Sequence, residues 1–266
     1  MMEEIKFRKG GTMLKEGFKT FKMFIFSLLL ITLTFSKFSS AIDNKDVLFQ
    51  YSTVGALYKG IYDGEMTYRE LKRHGNFGLG TFNSLDGEMI GLNGHFYQIK
   101  ANGVVRPVND LTKTPFATVT FFEQDKTVLL KNKMNYEQLK QALDSLLPTK
   151  NLFYAIKIEG VFKYIKARSV SRQNKPYPSF TDVINNESVF EFNNIRGTLV
   201  GFYYPEYTNE INVPGYHFHF ITEDRKAGGH LLECEIQDVK VEIDYISRFY
   251  MILPQSNEFY NVDLTH

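Results

Sequence analysis

Tryptophan is absent from this sequence, cysteine occurs once, and neither sign of charge is in clear excess. The single cysteine, Cys234, cannot form a disulfide within the chain, and its apolar neighbours indicate a buried, inert thiol rather than a nucleophile. The net charge is +1, so there is no surplus of lysine and arginine to neutralise phosphates. These features argue against an internal disulfide and against nucleic acid as a partner.

Apolar and aromatic residues are plentiful by contrast. Of the 266 residues 43% are hydrophobic, with 24 Phe and 16 Tyr, a composition typical of a globular protein with a large core.

The first 41 residues have the pattern of a secretory signal. Three lysines precede the apolar run Met23–Phe35, and Ser39 and Ala41 then supply small residues at the positions that a signal peptidase reads. The run is short for a membrane span. We therefore expect residues 1–41 to be a cleaved signal peptide and the protein to be exported to the periplasm or the medium, with an uncleaved membrane anchor as the alternative.

Half of the six histidines lie within fourteen residues, which is the most informative pattern in the chain. His217 and His219 are two apart, the spacing that places both rings on one face of a β-strand. The polar run Thr222–Gly229 predicts a hairpin connection, and a loop centred between residues 224 and 225 places His219 opposite His230. Three imidazoles with an open position are typical of a catalytic zinc site.

A structural alternative applies to this pattern. The histidines of a His-x-His pair are often hydrogen-bonded residues of a half-buried sheet that bind no metal. The third histidine across the hairpin is what favours a set of metal ligands here. The spacing does not select zinc over iron or manganese, because imidazole suits several of these ions.

Short strands predominate in the remaining chain, which predicts a β-rich α/β (α+β) fold with few short helices. Glycines separate apolar runs over Gly78–Ile99, which indicates a meander of strands and tight turns. Two further strands are expected to form a hairpin around Glu159-Gly160. The predicted strands outside the meander are Val47–Tyr51, Phe116–Phe122, Phe153–Ile158, Val161–Arg168, Gly197–Tyr204, Tyr216–Ile221, Leu231–Ile236, Val239–Ile243 and Phe249–Leu253.

Four short helices are predicted from capping residues and apolar spacing. The clearest is Asn135–Leu147, with Asn135 as N-cap, Gln138 three residues later and Pro148 after its end. Thr67 and Glu70 form a second capping box. The other predicted helices are Ser52–Tyr58, with Ser52 as N-cap, and Ser179–Asn185.

A faint internal similarity suggests two halves. Gly94–Lys100 resembles Gly160–Lys166, and each is followed by a segment that contains proline. We therefore predict an N-terminal β-rich domain over residues 42–150 and a C-terminal, metal-binding β-rich domain over residues 151–266.

Several segments together resemble the bacterial α-acetolactate decarboxylases. The similarity runs from about Leu48 to Leu264, in order and with few gaps. The segments that carry it are Gly75–Ile99, Asn151–Gly160 with Arg168, Arg196–Gly201, and Gly215–Phe220 with Gly228–His230.

This resemblance implies a carboxy-lyase that converts 2-acetolactate to acetoin and carbon dioxide. It implies a zinc ion on His217, His219 and His230, and a second functional group made of Thr81, Glu88 and Arg168. The electrons left by carbon dioxide would be held as a zinc-stabilised enediolate and then protonated. The family fold implies two mixed-sheet domains with the metal site between them, and a homodimer.

Alternatives remain beside this interpretation. Family members carry a further glutamate in a C-terminal tail, which Glu258 does not match, so a catalytically impaired, secreted metal- or ligand-binding homologue is the runner-up. A cupin-like dioxygenase, with Glu223 as a carboxylate ligand, ranks last. Without the resemblance, Arg168 is a strand-end arginine, Glu88 a solvated turn carboxylate and Thr81 an ordinary strand threonine.

The other three histidines receive no metal role. His74 at a helix end and His266 at the end of the sequence are expected to be exposed, and His95 alternates with strand residues.

Overall fold

The computed structural model describes residues 45–265, and the predicted signal segment and His266 lie outside them. Contacts group the described chain into one compact unit. None of the helices in this range has the length and apolar content that crossing a bilayer requires.

Within residues 45–265 the chain forms sixteen strands and five short α-helices. The strands are β1 (Val47–Tyr51), β2 (Met66–Thr67), β3 (Phe77–Thr81), β4 (Glu88–Leu92), β5 (His95–Ile99), β6 (Val105–Pro107), β7 (Lys113–Thr114), β8 (Ala117–Thr120), β9 (Lys126–Leu130), β10 (Met134–Asn135), β11 (Phe153–Ser169), β12 (Ser188–Tyr204), β13 (Gly215–Thr222), β14 (Gly228–Ile236), β15 (Val239–Ile246) and β16 (Arg248–Ile252). The helices are α1 (Val54–Tyr58), α2 (Tyr68–Leu71), α3 (Tyr136–Leu146), α4 (Phe180–Asn185) and α5 (Asn257–Asn261).

Two seven-stranded sheets make up most of this unit. The first has the order β16-β1-β8-β3-β4-β5-β6, and only the β16–β1 pair is parallel. The second has the order β10-β14-β13-β12-β11-β15-β9 and is antiparallel. The β-rich fold with few short helices is therefore confirmed.

The two sheets pack against each other through a shared apolar layer. Leu48, Phe77 and Leu79 of the first sheet lie in one cluster with Val200 and Phe202 of the second. The far side of the second sheet is covered by α3, whose Leu139 and Leu143 are fully buried. Burying apolar surface between layers in this way is the main stabilising term for such a fold.

The sheets exchange segments across the predicted boundary at residue 150. β9 and β10 precede that residue but belong to the second sheet, whereas β16 near the end of the chain joins the first. The division into two domains remains a prediction.

Two of the helix N-caps predicted from the sequence are present in the structure, and a third lies one residue later. Asn135 accepts from the backbone N–H of Gln138, and the Gln138 side chain accepts from Asn135 N–H in return. Thr67 and Glu70 form the same reciprocal pair. The N-cap of α1 is Thr53 rather than Ser52, because the Thr53 hydroxyl accepts from Ala56 N–H while Ser52 has a positive φ of 66°.

The predicted hairpin around Glu159-Gly160 is wrong. β11 runs without interruption from Phe153 to Ser169, and Gly160 lies in its middle, paired with Gly197 on β12. A Cβ atom at Gly160 would lie 2.8 Å from a methyl carbon of Val239. The glycine therefore serves the close approach of β15 and not a turn. Gly94, its counterpart in the internal similarity, does lie in a turn, with a φ of 79°.

The unbroken β11 has consequences for the site. It pairs with β12 along nearly its whole length, with β15 through its first half and with β14 through its second half. This switch of neighbours brings Arg168, near the end of β11, directly opposite His230 on β14.

Candidate metal and substrate site

Three histidines converge on one face of the β13–β14 hairpin. His219 pairs directly with His230 across the two strands, as the hairpin centred between residues 224 and 225 requires. His217 lies two residues before His219 on the same face. The alternate residues Phe218 and Phe220 point into the core on the other face. One ring nitrogen from each histidine lies within 4.8 Å of the others.

The orientations of the rings suit a shared ligand. His219 Nδ1 lies 2.8 Å from the carbonyl oxygen of Met89 and must donate to it, because a carbonyl only accepts. That bond leaves the other nitrogen, Nε2, free to act as an acceptor or a ligand. His217 Nε2 and His230 Nδ1 face each other at 3.1 Å. The Met89 carbonyl belongs to β4, so the first sheet orients a histidine of the second.

Burial keeps these imidazoles neutral. Burial, with a smaller contribution from the nearby Arg168, lowers the pKa of His217 to about 3. Burial also lowers the pKa values of His219 and His230 well below the ordinary value. Neutral imidazole is the form that binds metal ions. Three neutral, convergent imidazoles, one fixed by a carbonyl, therefore fit a divalent transition metal such as zinc.

Glu88 begins β4 and points toward the histidines. Its Oε2 atom lies 3.6 Å from His219 Nε2, and its side chain is 9% exposed. The pKa of Glu88 is raised to about 7, mainly by burial, with the charge of Arg168 opposing the rise and that of Glu187 contributing to it. A buried carboxyl with such a pKa can hold or release a proton near neutral pH.

Arg168 lies between two carboxylates. Its Nη1 atom is 3.6 Å from Glu88 Oε1, and its Nε atom is 3.2 Å from Glu187 Oε2. The arginine side chain is only 14% exposed. It is therefore not the surface arginine that the strand-end interpretation implies, and it lies beside the histidine cluster.

Thr81 pairs with Glu88 across β3 and β4, and it is buried. Its hydroxyl donates to the carbonyl of Gly87 at 2.8 Å rather than to the Glu88 carboxylate. Gly87 has a φ of 94°, a conformation that favours glycine. Thr81 thus fixes the turn that delivers Glu88, and it also lines the cavity described next.

A cavity of about 230 Å³ joins these groups. The three histidines, Glu88, Arg168 and Thr81 all line it, so every predicted site residue contributes to one space where the two sheets meet. The volume suits a ligand of roughly ten heavy atoms rather than a large one.

The opposite wall of the cavity is apolar and was not predicted. α1 contributes Leu57 and Tyr58, α4 contributes Phe180 and Ile184, and Asn212 adds one polar group. The sequence signal for these helices is an apolar face, which predicts burial but does not distinguish a core contact from a cavity wall. Glu187, in a polar segment after α4, was missed for a similar reason, because such segments are typical of solvated turns.

The remaining candidates lie elsewhere. Glu223 is in the β13–β14 loop, exposed, and 3.9 Å from Arg196, so the carboxylate ligand of the dioxygenase alternative is not at the histidine cluster. Glu258 on α5 is exposed and borders a separate surface groove.

The other described histidines and the cysteine stand apart from this cavity. His74 was expected to be exposed but is partly buried, with its ring stacked 3.8 Å from that of Phe49. His95 is exposed. Cys234 is buried, as predicted, and burial raises the pKa of its thiol to about 12.

Comparisons with known proteins identify the family of this chain. The family model of α-acetolactate decarboxylase matches residues 48–266. An α-acetolactate decarboxylase from Methanosarcina mazei is 53% identical over 219 residues, covering 82% of this chain and 76% of the relative. One from Methylococcus capsulatus is 47% identical, covering 82% and 84%. The crystal structure of the Bacillus subtilis strain 168 enzyme superposes with a TM-score of 0.81 at 41% identity, covering 83% of this chain and 94% of that one. The chain therefore belongs to the α-acetolactate decarboxylase family.

Proposed function

We propose that this decarboxylase converts 2-acetolactate to acetoin and carbon dioxide, as a carboxy-lyase with zinc held by His217, His219 and His230. The observation that supports the proposal is the cluster of three neutral imidazoles, His219 buried and the other two partly buried, beside the Glu88–Arg168 pair in one small cavity. When bound, a divalent ion supplies Lewis acidity to the oxygen atoms of a substrate.

Arg168 binds and orients the substrate carboxylate. A guanidinium stays charged and matches a carboxylate with two parallel hydrogen bonds. Arg168 lines the cavity, with its Nη1 atom 3.6 Å from Glu88 Oε1, so a carboxylate that it binds there lies within the space that the histidines also line. Loss of carbon dioxide breaks the bond between this carboxylate and the carbon that bears the hydroxyl, and the electron pair stays on the substrate.

Glu88 moves the proton that completes the reaction. The carbon that loses carbon dioxide must gain a proton to give acetoin, and Glu88 is the carboxyl that lines the cavity among the described residues. Its position between His219 and Arg168 places the acid next to both the metal ligands and the carboxylate binder. The apolar wall of α1 and α4 excludes water and accommodates the methyl groups of acetolactate.

The direct test is product formation. The purified, zinc-loaded chain is incubated with racemic 2-acetolactate, and acetoin is measured against the spontaneous rate. His219→Ala should fall to that rate, whereas His95→Ala, which alters an exposed histidine, should match the wild type. Zinc binding without acetoin formation by the wild type would instead identify the impaired binding homologue.

We further propose that the protein is exported after cleavage at Ala41. The support is the signal pattern of residues 1–41, with membrane anchoring as the alternative. Mass spectrometry of protein from the native cell should find a chain that begins at or near Ile42. A membrane-bound form that retains Met23–Phe35 would favour the anchor.

A homodimer is proposed on the family resemblance alone. Light scattering of the purified protein should give twice the mass of one chain. A single-chain mass at micromolar concentration would contradict the dimer.

A further inference from the structure

Glu187 stands behind the guanidinium of Arg168. Its Oε2 atom is 3.2 Å from Arg168 Nε, which is closer than the 3.6 Å between Arg168 Nη1 and Glu88 Oε1. Arg168 and Glu88 line the cavity, whereas Glu187 lies outside its lining. Glu187 therefore contacts the side edge of the guanidinium from outside the cavity, and leaves the Nη end for a ligand.

The Glu187 carboxylate is itself held in place. Its Oε2 atom is buried and accepts no hydrogen bond from the described residues, so the ion pair with Arg168 is what compensates its charge. A buried charge without such compensation is costly, which ties the two side chains to one arrangement.

The backbone around Glu187 is fixed as well. Glu187 N–H donates to the carbonyl of Ile184 at 3.1 Å, which closes the end of α4. The next residue, Ser188, begins β12 and pairs with Ser169, the neighbour of Arg168. Ile184 and Phe180 of the same helix form part of the apolar cavity wall. One residue thus links the position of the wall to the position of the guanidinium.

We propose that Glu187 is a positioning residue that fixes the Arg168 guanidinium to receive the substrate carboxylate. The proposal rests on the carboxylate-binding role of Arg168 set out above. Because a misplaced binding group loses both affinity and alignment, the loss of Glu187 should raise KM and lower kcat together.

The test uses Glu187→Ala, Glu187→Gln and the control Glu191→Gln in the full zinc-loaded chain. Glu191 is an exposed glutamate on β12, the strand that follows Glu187. Glu187→Ala should lower kcat/KM by roughly ten- to a hundredfold. Glu187→Gln should show a similar loss, because the amide keeps the size of the side chain but not its charge, and the contact with Arg168 is an ion pair rather than a hydrogen bond. Glu191→Gln should match the wild type, and zinc content should be the same in all four proteins.

Inhibitor binding separates positioning from a purely structural role. The inhibition constant of 2-hydroxy-2-methylbutanoate, an anionic analogue, should rise about tenfold in Glu187→Ala, whereas that of neutral acetoin should stay unchanged. The proposal would be overturned if the binding of both ligands were weakened equally, or if the binding of neither were weakened.

A double-mutant cycle with Arg168→Lys separates this proposal from the one on which it rests. If Glu187 acts through Arg168, Glu187→Ala should cost little more in the Arg168→Lys background. Additive losses would overturn the positioning role. If Arg168→Lys alone binds the anionic analogue like the wild type, the role of Arg168 fails, and the role of Glu187 fails with it. If Arg168→Lys is impaired but Glu187→Ala is not, only the role of Glu187 fails.

Discussion

Asp244 should make the stability of this protein depend on pH, and Asp244→Asn should remove that dependence. Asp244 is 1% exposed on β15. One carboxylate oxygen accepts from Glu123 N–H at 3.2 Å, and the other has no hydrogen-bond partner among the described residues. Its pKa is raised from 3.8 to about 7, mainly by burial; the hydrogen bond from Glu123 N–H opposes this rise, and the charges of Asp125, Asp46 and Glu123 contribute to it.

The direction and size of this pH dependence follow from the thermodynamic linkage between proton binding and folding. The folded state holds the Asp244 proton more tightly than the unfolded state, so the free energy of unfolding falls as pH rises from about 4 to about 7. Each pH unit in this window costs about 1.4 kcal/mol. Between pH 5 and pH 8 the wild type should therefore lose roughly 3 kcal/mol relative to Asp244→Asn. The fixed cost of placing the new amide cancels in this difference.

Urea unfolding followed by far-UV circular dichroism at pH 5 and pH 8 measures the effect, since the chain has no tryptophan to report by fluorescence. Asp238→Asn is the matched control, because Asp238 is exposed in the turn between β14 and β15 and has a φ of 54° that asparagine tolerates. It should change stability equally at both pH values. The same constant difference for Asp244→Asn would refute the reasoning.

Three further predictions concern the site and α3. Glu88→Gln should retain zinc and bind substrate but lower kcat about a hundredfold, because an amide cannot exchange the proton. A near wild-type kcat in steady-state assays would show that Glu88 is only a turn residue. Arg168→Lys should raise KM and lower kcat together, by about a hundredfold in kcat/KM, because the point charge of an ammonium cannot reproduce the two parallel hydrogen bonds of a guanidinium. An effect on KM alone would argue against a role of Arg168 in aligning the substrate carboxylate. Asn135→Ala should lower the free energy of unfolding by about 1 kcal/mol in urea titrations, because the N-cap of α3 is lost. Unchanged stability would show that the cap contributes nothing.

The histidine cluster was predictable because it depends on local rules. The two-residue period of a strand placed His217 and His219 on one face, and hairpin symmetry placed His230 opposite His219. The helix caps Asn135 and Thr67 were predictable for the same reason, because a cap and its partner lie three residues apart.

The meeting of Glu88 with Arg168 could not be derived from local rules. The two residues are eighty positions apart and lie on different sheets, Glu88 on β4 of the first and Arg168 on the part of β11 that pairs with β14 in the second. The sequence placed a turn at Gly160 in the middle of that strand, since a glycine required by a close approach looks like a turn glycine in a single sequence. Family resemblance, rather than residue pattern, supplied Arg168 as a site residue.

The apolar wall illustrates a second limit. Leu57 and Ile184 lie on short helices whose apolar residues predict burial, but which of them border a cavity depends on how α1 and α4 pack. Glu187 likewise gains its contact with Arg168 only through the register of β12 against β11.

The central claim is that zinc on the three histidines drives acetoin formation. Metal-free protein is titrated with zinc in the presence of racemic 2-acetolactate, and bound zinc and the rate of acetoin formation are measured together. We predict that the rate rises linearly to one zinc per chain and then stays level, and that His217→Ala, His219→Ala and His230→Ala neither retain zinc nor regain activity. Full activity in the metal-free chain, or stoichiometric zinc in any two of these variants, would contradict the account.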